Sequence, residues 1–291
     1  MVISNIIGGL GNQMFQYATG RTLSLRLSVQ LKLDLRDFSS YPLHQGFELS
    51  KLFDCNVEIA SNNDLKAVLG WQEAKLVQRI LKRPQLNRFS YRSYVIEPSF
   101  NYWVGINTLK ENIYLDGYWQ SERYFISFAD KIREDFTFKQ PLSNQNADIA
   151  DKISRVNAVS LHVRRGDYIS DKRNAFIGVC TLDYYKTAIE IIKTQVDNPM
   201  FFVYSDDINW VKNNLVLDKT AVFVNHNLGH ESYNDMRLMS LCQHHIIANS
   251  SFSWWGAWLN NSPNKIVIAP KQWFANMQDT SDLMPENWLK M

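Results

Sequence analysis

Residues 158–168 read AVSLHVRRGDY, an apolar run that meets two arginines, Arg164 and Arg165, and breaks at Gly166. A short apolar run bounded by charge and glycine has the form of a buried strand entering its carboxyl-end loop. In open α/β sheets that edge is where ligands sit. Arginine supplies a planar, permanently charged fork that suits phosphate oxygens. HVRRGDY (162–168) therefore marks a seat for an anionic, phosphorylated ligand. A surface ion pair between Arg165 and Asp167 is the plainer reading of an Arg-Arg pair, and the buried-strand context outweighs it. An Arg-Gly-Asp adhesion signal has no other extracellular feature beside it.

Outward from this stretch the same period recurs. Strand candidates at 158–163, 200–204, 221–225, 245–248 and 265–269 are separated by segments of helical length, which implies a parallel sheet covered by helices. The amino-terminal part opens alike, with a strand at 2–7, the glycine turn 8–11, a helix over about 12–27 and a strand at 30–35. A strand at 113–115 runs into the aromatic loop Gly117-Tyr118-Trp119-Gln120, and a helix is predicted over 121–133. Residues 139–150 are polar and read as a linker. No solenoid repeat or low-complexity tract is present. The expected fold is α/β, with two Rossmann-like domains, 1–145 and 146–291, facing a cleft.

Composition narrows the class. The chain has 291 residues, 45% hydrophobic and 21% charged, ordinary for a soluble globular enzyme. A net charge of +2 without a concentrated basic block argues against a nucleic-acid protein. Three scattered cysteines, Cys55, Cys180 and Cys242, give no zinc spacing and point to a reducing compartment. No signal peptide or membrane-span pattern is visible. The expected location is cytoplasmic, with peripheral membrane association left open.

Three constellations carry chemistry. The first, GGLGNQMFQYATG (8–20), offers close backbone approach and a helix amino terminus that favours an anion. Asn12 and Gln13 add side-chain donors there. As a dinucleotide fingerprint it fails, because Met14 stands at the third glycine position. Asp34 falls about where a ribose-binding acid would lie, which keeps a dehydrogenase as a rival. The second, FFVYSDDINW (201–210), places Asp206 and Asp207 at another carboxyl edge, where helix capping is the commoner role. The chain has no D-x-D triplet to hold a nucleotide-bound divalent metal. The third runs over 234–260: a helix, a buried strand, the loop Asn249-Ser250-Ser251-Phe252-Ser253, and a second helix whose start is an anion seat. Trp254 and Trp258 share a helix face and read as core. His244 and His245 read as buried or capping groups. Asn249-Ser250-Ser251 also matches a glycosylation sequon, here a coincidence.

Together these segments, with LDGYWQSERYF (115–125) and VYSDDINWVK (203–212), resemble the bacterial α-1,2-fucosyltransferases of glycosyltransferase family 11 over nearly the whole chain. Ile177 departs from the pattern, since many relatives carry histidine there, and this bears on acceptor preference. The resemblance implies a GT-B arrangement, GDP-β-L-fucose as donor, inversion to an α linkage at a terminal β-galactose, and neither cofactor nor essential metal. It also implies site residues. Arg164 grips the diphosphate, with Arg165 as its support, and His162 lies beside the nucleotide. Asp235 reads guanine, whose N1–H and amine are both donors. Ser250 and Ser251 lie beneath the phosphates, with Asn249 and Phe252 of the same loop as donor-binding residues, and Gly9, Gly11, Asn12 and Gln13 approach from the amino-terminal domain, Asn12 helping Arg164 to stabilise the leaving group. Asp167 is the nearest carboxylate for a general base, although pairing with arginine would weaken it. The loop 117–120 and the region 171–185 are the acceptor side, and a lipid-linked acceptor would bring the protein to a membrane. A non-enzymatic carbohydrate-binding protein, the other rival class, accounts for the tryptophans but not for two phosphate seats, and within the enzyme reading a transferase making another fucosyl linkage is the nearest alternative.

Overall fold

In the computed structural model, which describes residues 1–40, 45–83, 85–86, 89, 92–166, 176, 178–275 and 279–291, the chain divides into two units. Unit 1 is Met1–Lys139 with Ser281–Leu283, and unit 2 is Gln140–Thr280 with Met284–Met291.

Unit 1 contains β1 (Val2–Asn5), α1 (Leu10–Leu27), β2 (Leu31–Asp34), α2 (Leu49–Leu52), α3 (Asn62–Leu69), α4 (Lys75–Leu81), β3 (Tyr94–Ile96), β4 (Ile113–Asp116) and α5 (Ala129–Asp135). Its strands pair in parallel in the order β2-β1-β4-β3. The chain steps from β1 to β2 and later returns to the other side of β1, so the order switches between β1 and β4. Helix α1 lies close on this sheet because Gly20 has no side chain. A Cβ there would lie 3.0 Å from both Ser4 Cβ and Leu31 Cδ1. The helix predicted over 121–133 is instead two 3₁₀ turns, Glu122–Tyr124 and Ile126–Phe128, followed by α5. Phe125 leaves helical geometry at φ −138°, ψ 1° and buries its ring against Phe15. Tertiary burial wins over local propensity there.

Unit 2 contains α6 (Asn144–Ser154), β5 (Ala158–Val163), α7 (Leu182–Gln195), β6 (Met200–Ser205), α8 (Ile208–Asn214), β7 (Val222–Val224), α9 (Tyr233–Leu241), β8 (His244–Ile246), α10 (Ser251–Leu259), β9 (Val267–Ala269) and β10 (Leu289–Lys290). All its strand pairs are parallel, in the order β10-β9-β8-β5-β6-β7. The chain winds out through β6 and β7, then crosses back to β8 on the other side of β5. That is the doubly wound topology, with its switch point between β5 and β8.

Strand β5 alternates as the two-residue period of a strand requires. Val159, Leu161 and Val163 pack with Tyr185, Ile189 and Val211 on one face. Ala158 packs with Ile153, Leu238 and Met239 on the other. The expected linker is shorter than predicted, because α6 starts at Asn144 and the division at 145/146 falls inside that helix. Asn146 fastens α6 to unit 2 through hydrogen bonds with Asn227.

Trp254 and Trp258 are core, as expected, with stacked rings 6.2 Å apart. His245 is buried between Ser160 and Asn260. His244 Nδ1 accepts from the Ile266 N–H, which gives it a structural role too. The three cysteines are free and buried.

Candidate active site

The parallel register assembles the site of unit 2. Leu161 pairs with Ile246 and Val163 with Ser205. Arg164 therefore leaves β5 beside Asp206 on one side and beside the Asn249–Ser250 turn on the other, at the topological switch point. Asp206 clamps this turn. Its Oδ2 takes an ion pair from Arg164 Nε at 3.0 Å, and its Oδ1 accepts from the Arg165 backbone N–H at 2.9 Å. Gly166 permits that approach, since a Cβ there would meet Asp206 Oδ2 at 3.0 Å.

The two arginines have different surroundings. Arg164 is held through Nε, with its side chain 32% exposed. Arg165 lays its guanidinium over the Trp210 ring, 3.9 Å from the centroid. A stacked guanidinium is a brace for the turn and contributes positive potential to the edge.

His162 precedes the arginines on the face opposite Leu161. Its ring lies 6.1 Å from Phe252, and its Nδ1 is buried with no hydrogen-bond partner. Burial, reinforced by the Arg164 charge, pushes its pKa down to about 3, so the imidazole is neutral at working pH. Buried polar atoms are ordinarily satisfied, so an orphan at a switch point is a candidate bonding position for a ligand. Phe252 belongs to the first turn of α10, whose amino cap is Ser250 with no side-chain capping bond and no acidic residue behind it. The first-turn N–H groups of a helix have no intrahelical acceptor, and with the helix dipole they favour an anion.

Asp235 lies in the first turn of α9. Burial raises its pKa to about 7 even though Asn227 donates to its Oδ1 at 2.8 Å. Asn227 and Asn146 form a reciprocal amide pair at 2.9 and 3.0 Å, and His226 Nε2 joins Asn146 Oδ1 at 2.8 Å. Asn227 thus spends one amide proton on Asn146 and the other on fixing the Asp235 carboxylate.

Two expected ligand groups are turned inward. Asn249 donates its amide to the carbonyls of Gly178 and Trp273 and is a brace for the loop. Gln13 is fully buried, donates to the carbonyls of Gly8 and Gly46 and accepts from the Glu48 N–H. Each has the right donor type and the wrong direction. Asp207 caps α8, while Asp206 is the clamp. Asp34, the acid a dehydrogenase would need, is consumed by Arg36, Lys75 and Tyr114. Asp167, Ile177 and most of the acceptor region's first part, 171–175, lie outside the described residues.

In unit 1 the glycine turn and the loop 117–120 meet at the switch between β1 and β4. Gln120 Nε2 donates to Asn12 Oδ1 at 2.6 Å and Gln16 Nε2 to the Gly117 carbonyl at 3.1 Å. Asn12 is thereby oriented with its NH2 as the donor end. Gly9 is the amino cap of α1, and Gly11 is buried in its first turn. Glu97, which no local sequence pattern marks, accepts from the Tyr118 and Trp119 N–H groups at 2.7 and 2.9 Å. Gly8 has φ +81°, and a Cβ there would lie 2.8 Å from Asn12 Nδ2. Gly8→Ala should therefore cost about 1–3 kcal/mol in urea unfolding; unchanged stability would show that the turn relaxes freely.

Among the described residues no group of three His, Cys, Asp or Glu side chains could hold a metal ion, and no helix is long and apolar enough to cross a membrane. An open polar depression lined by Ser154, Asn157, Asn198 and Gln243 lies at the amino edge of the unit 2 sheet, away from these groups.

Comparison with known proteins follows the same lines. The model of the family described as Glycosyl transferase family 11 matches residues 1–291. An α-1,2-colitosyltransferase of Escherichia coli is 41% identical over 301 residues, covering 100% of this chain and 99% of the relative. The O-antigen biosynthesis glycosyltransferase WbnK of Escherichia coli is 33% identical over 308 residues, covering 99% of each. Among solved structures, the α-1,6-fucosyltransferase NodZ of Bradyrhizobium, soaked with GDP-fucose, superposes with a TM-score of 0.57. At 15% identity over 92% of this chain and 94% of that one, the likeness is one of fold, α/β and GT-B-like.

Proposed function

The chain belongs to glycosyl transferase family 11 and is a glycosyltransferase, and on that premise we propose that it moves L-fucose from GDP-β-L-fucose to the 2-hydroxyl of a terminal β-galactoside, with inversion to an α linkage. One arrangement carries the reading. Arg164, clamped by Asp206, directly follows β5, the strand next to the one that leads into the uncapped amino terminus of α10.

The chemistry is direct displacement at the anomeric carbon. The acceptor oxygen forms a bond as the bond to the β-phosphate oxygen breaks, and negative charge grows on the departing diphosphate. Arg164 and the N–H groups of Ser251, Phe252 and Ser253 are placed to take up that charge, which is the largest single means by which such sites lower a barrier. His162, neutral and with an open Nδ1, bonds the nucleotide. Asp235 accepts from guanine N1–H and its amine. Asn12 and the loop 117–120 are assigned to unit 1's share of the substrates. Charge on the leaving group is thus handled by cationic and N–H donors, and no metal or cofactor is assigned.

A second donor has a specific observation behind it, the 41% identical α-1,2-colitosyltransferase. Colitose is L-fucose lacking its 3-hydroxyl. A pocket that bonds that hydroxyl rejects the deoxy sugar by roughly 10⁴-fold, whereas a pocket that ignores it discriminates weakly. The deciding experiment supplies GDP-fucose and GDP-colitose separately, with a panel of galactosides and EDTA, and measures GDP release and product linkage. The expected result is galactoside-dependent GDP release from GDP-fucose, an α-1,2 product and no effect of EDTA. Turnover of GDP-colitose alone would establish the second donor. A requirement for added magnesium would overturn the assignment of charge to Arg164 and α10.

A further inference from the structure

Exposed apolar side chains are common and singly mean little. Here they cluster. Of thirteen large hydrophobic residues exposed among the described residues, Trp71, Leu76, Ile80 and Phe89 fall within nineteen positions of unit 1. Helix α4 supplies the order. At 100° per residue, Leu76, Arg79 and Ile80 fall within about a 100° arc, while Gln78 and Leu81 are buried on the opposite side. Arg83 lies two residues past the end of α4 in a tight turn, its N–H donating to the Ile80 carbonyl.

The charge of this segment has one sign. Between Glu73 and Glu97 the sequence holds six basic residues, Lys75, Arg79, Lys82, Arg83, Arg88 and Arg92, and no acidic one. They are spaced rather than contiguous, and the whole-chain balance of +2 conceals them. Lys75 and Lys82 are committed inward, to Asp34 and Asp37 and to Asp116 respectively. Arg79, Arg83 and Arg92 are exposed.

From this we infer that the outward face of α4 and its flanks, Trp71, Leu76, Arg79, Ile80, Arg83 and Phe89, docks unit 1 on an anionic lipid surface. The occupant follows from the combination. Arginines interleaved with aliphatic and aromatic side chains suit an interface where headgroups are negative and acyl chains begin a few ångströms below. A soluble acidic partner would use the arginines and leave Leu76 and Ile80 unexplained. A second copy of the chain would bring like charges together. The inference does not rest on the identity of the donor sugar. Its consequence is that the protein meets acceptor glycans where lipid-linked ones are displayed.

The test is co-sedimentation of the full chain with vesicles of phosphatidylcholine alone or with one third phosphatidylglycerol. Anionic vesicles should bind at least tenfold more tightly, and 0.5 M NaCl should remove most of that difference. Arg79→Glu with Arg83→Glu should lower binding by about a hundredfold, and Leu76→Ser with Ile80→Ser should lower it at unchanged charge. Unfolding midpoints and transfer to a soluble galactoside, the folding controls, should match the parent. Equal binding to both vesicle types, none to either, or binding by the double variants like that of the parent overturns the inference. So does a dimer in light scattering that dissociates in the Leu76/Ile80 variant.

Discussion

Arg164→Ala is expected to lower kcat by about two to three decades, the roughly 2.7–4 kcal/mol that one preorganised donor to a developing charge is worth. The fold should be untouched, because Arg164 lies beyond the end of β5 and none of the sheet's hydrogen bonds depends on its side chain. The loss should fall on kcat more than on KM, since the diphosphate bears more charge in the transition state than in the bound donor. Arg164→Lys tests the geometry. Lysine keeps a charge but has no Nε to hold against Asp206 and no fork, so it should recover only part of the activity. Asp206→Asn probes the clamp, because it removes the ionic partner of Arg164 while keeping an acceptor for the Arg165 N–H. An intermediate loss is expected there, with thermal stability close to the parent. A folded Arg164→Ala protein with near-parental turnover would sink the assignment.

The parts of this architecture that were legible in the sequence are those decided locally. Strand β5 is an uninterrupted apolar run closed by two arginines and a glycine, and it occupies the predicted residues 158–163. Helix α3 is equally local in origin: Ser61 and Asp64 form a reciprocal capping box, a pattern visible in SNND. By contrast Phe125 ends a plausible helix because its ring is needed in the core against Phe15, which is a tertiary fact. The site divides in the same way. Arg164 and His162 could be named because a strand end has a known direction. Asn249 and Gln13 show the correct donor chemistry in sequence, but only the fold reveals that their amides point to protein carbonyls. The Asp206 clamp depends on the register of Val163 against Ser205. The Asn146–Asn227 pair spans 81 positions, and no local pattern announces it.

Asp235 should make binding of the nucleotide sugar depend on pH, and the sign follows from its surroundings. Burial holds its pKa near 7 in the free protein. Guanine presents only donors from N1–H and its amine, so it bonds the ionised carboxylate and favours that form. Binding below pH 7 must therefore expel a proton. Affinity should fall by about tenfold per unit as pH drops below about 7 and level off above it. A nucleotide sugar serves better than GDP as the probe, because its diphosphate has no terminal phosphate group to titrate in this range. Asp235→Asn replaces one acceptor oxygen with an NH2 that faces a donor. It should weaken binding by about two decades, as expected when hydrogen bonds to a charged group worth roughly 1.5–3 kcal/mol are lost, and its pH profile should be flat. Folding responds in the opposite sense. A carboxyl whose pKa is raised in the folded state favours folding most below its ordinary pKa, and that contribution is lost as pH rises through 7. Asp235→Asn mimics the protonated group, so the ligand-free variant should melt higher than the parent at pH 8 and converge with it near pH 4. Higher stability with weaker binding is the pattern of a carboxylate kept for a ligand rather than for the fold. His226 is the nearest other titrating group in the network, and burial lowers its pKa. If the pH dependence persisted in Asp235→Asn, the proton would belong to His226 and the guanine assignment would fail.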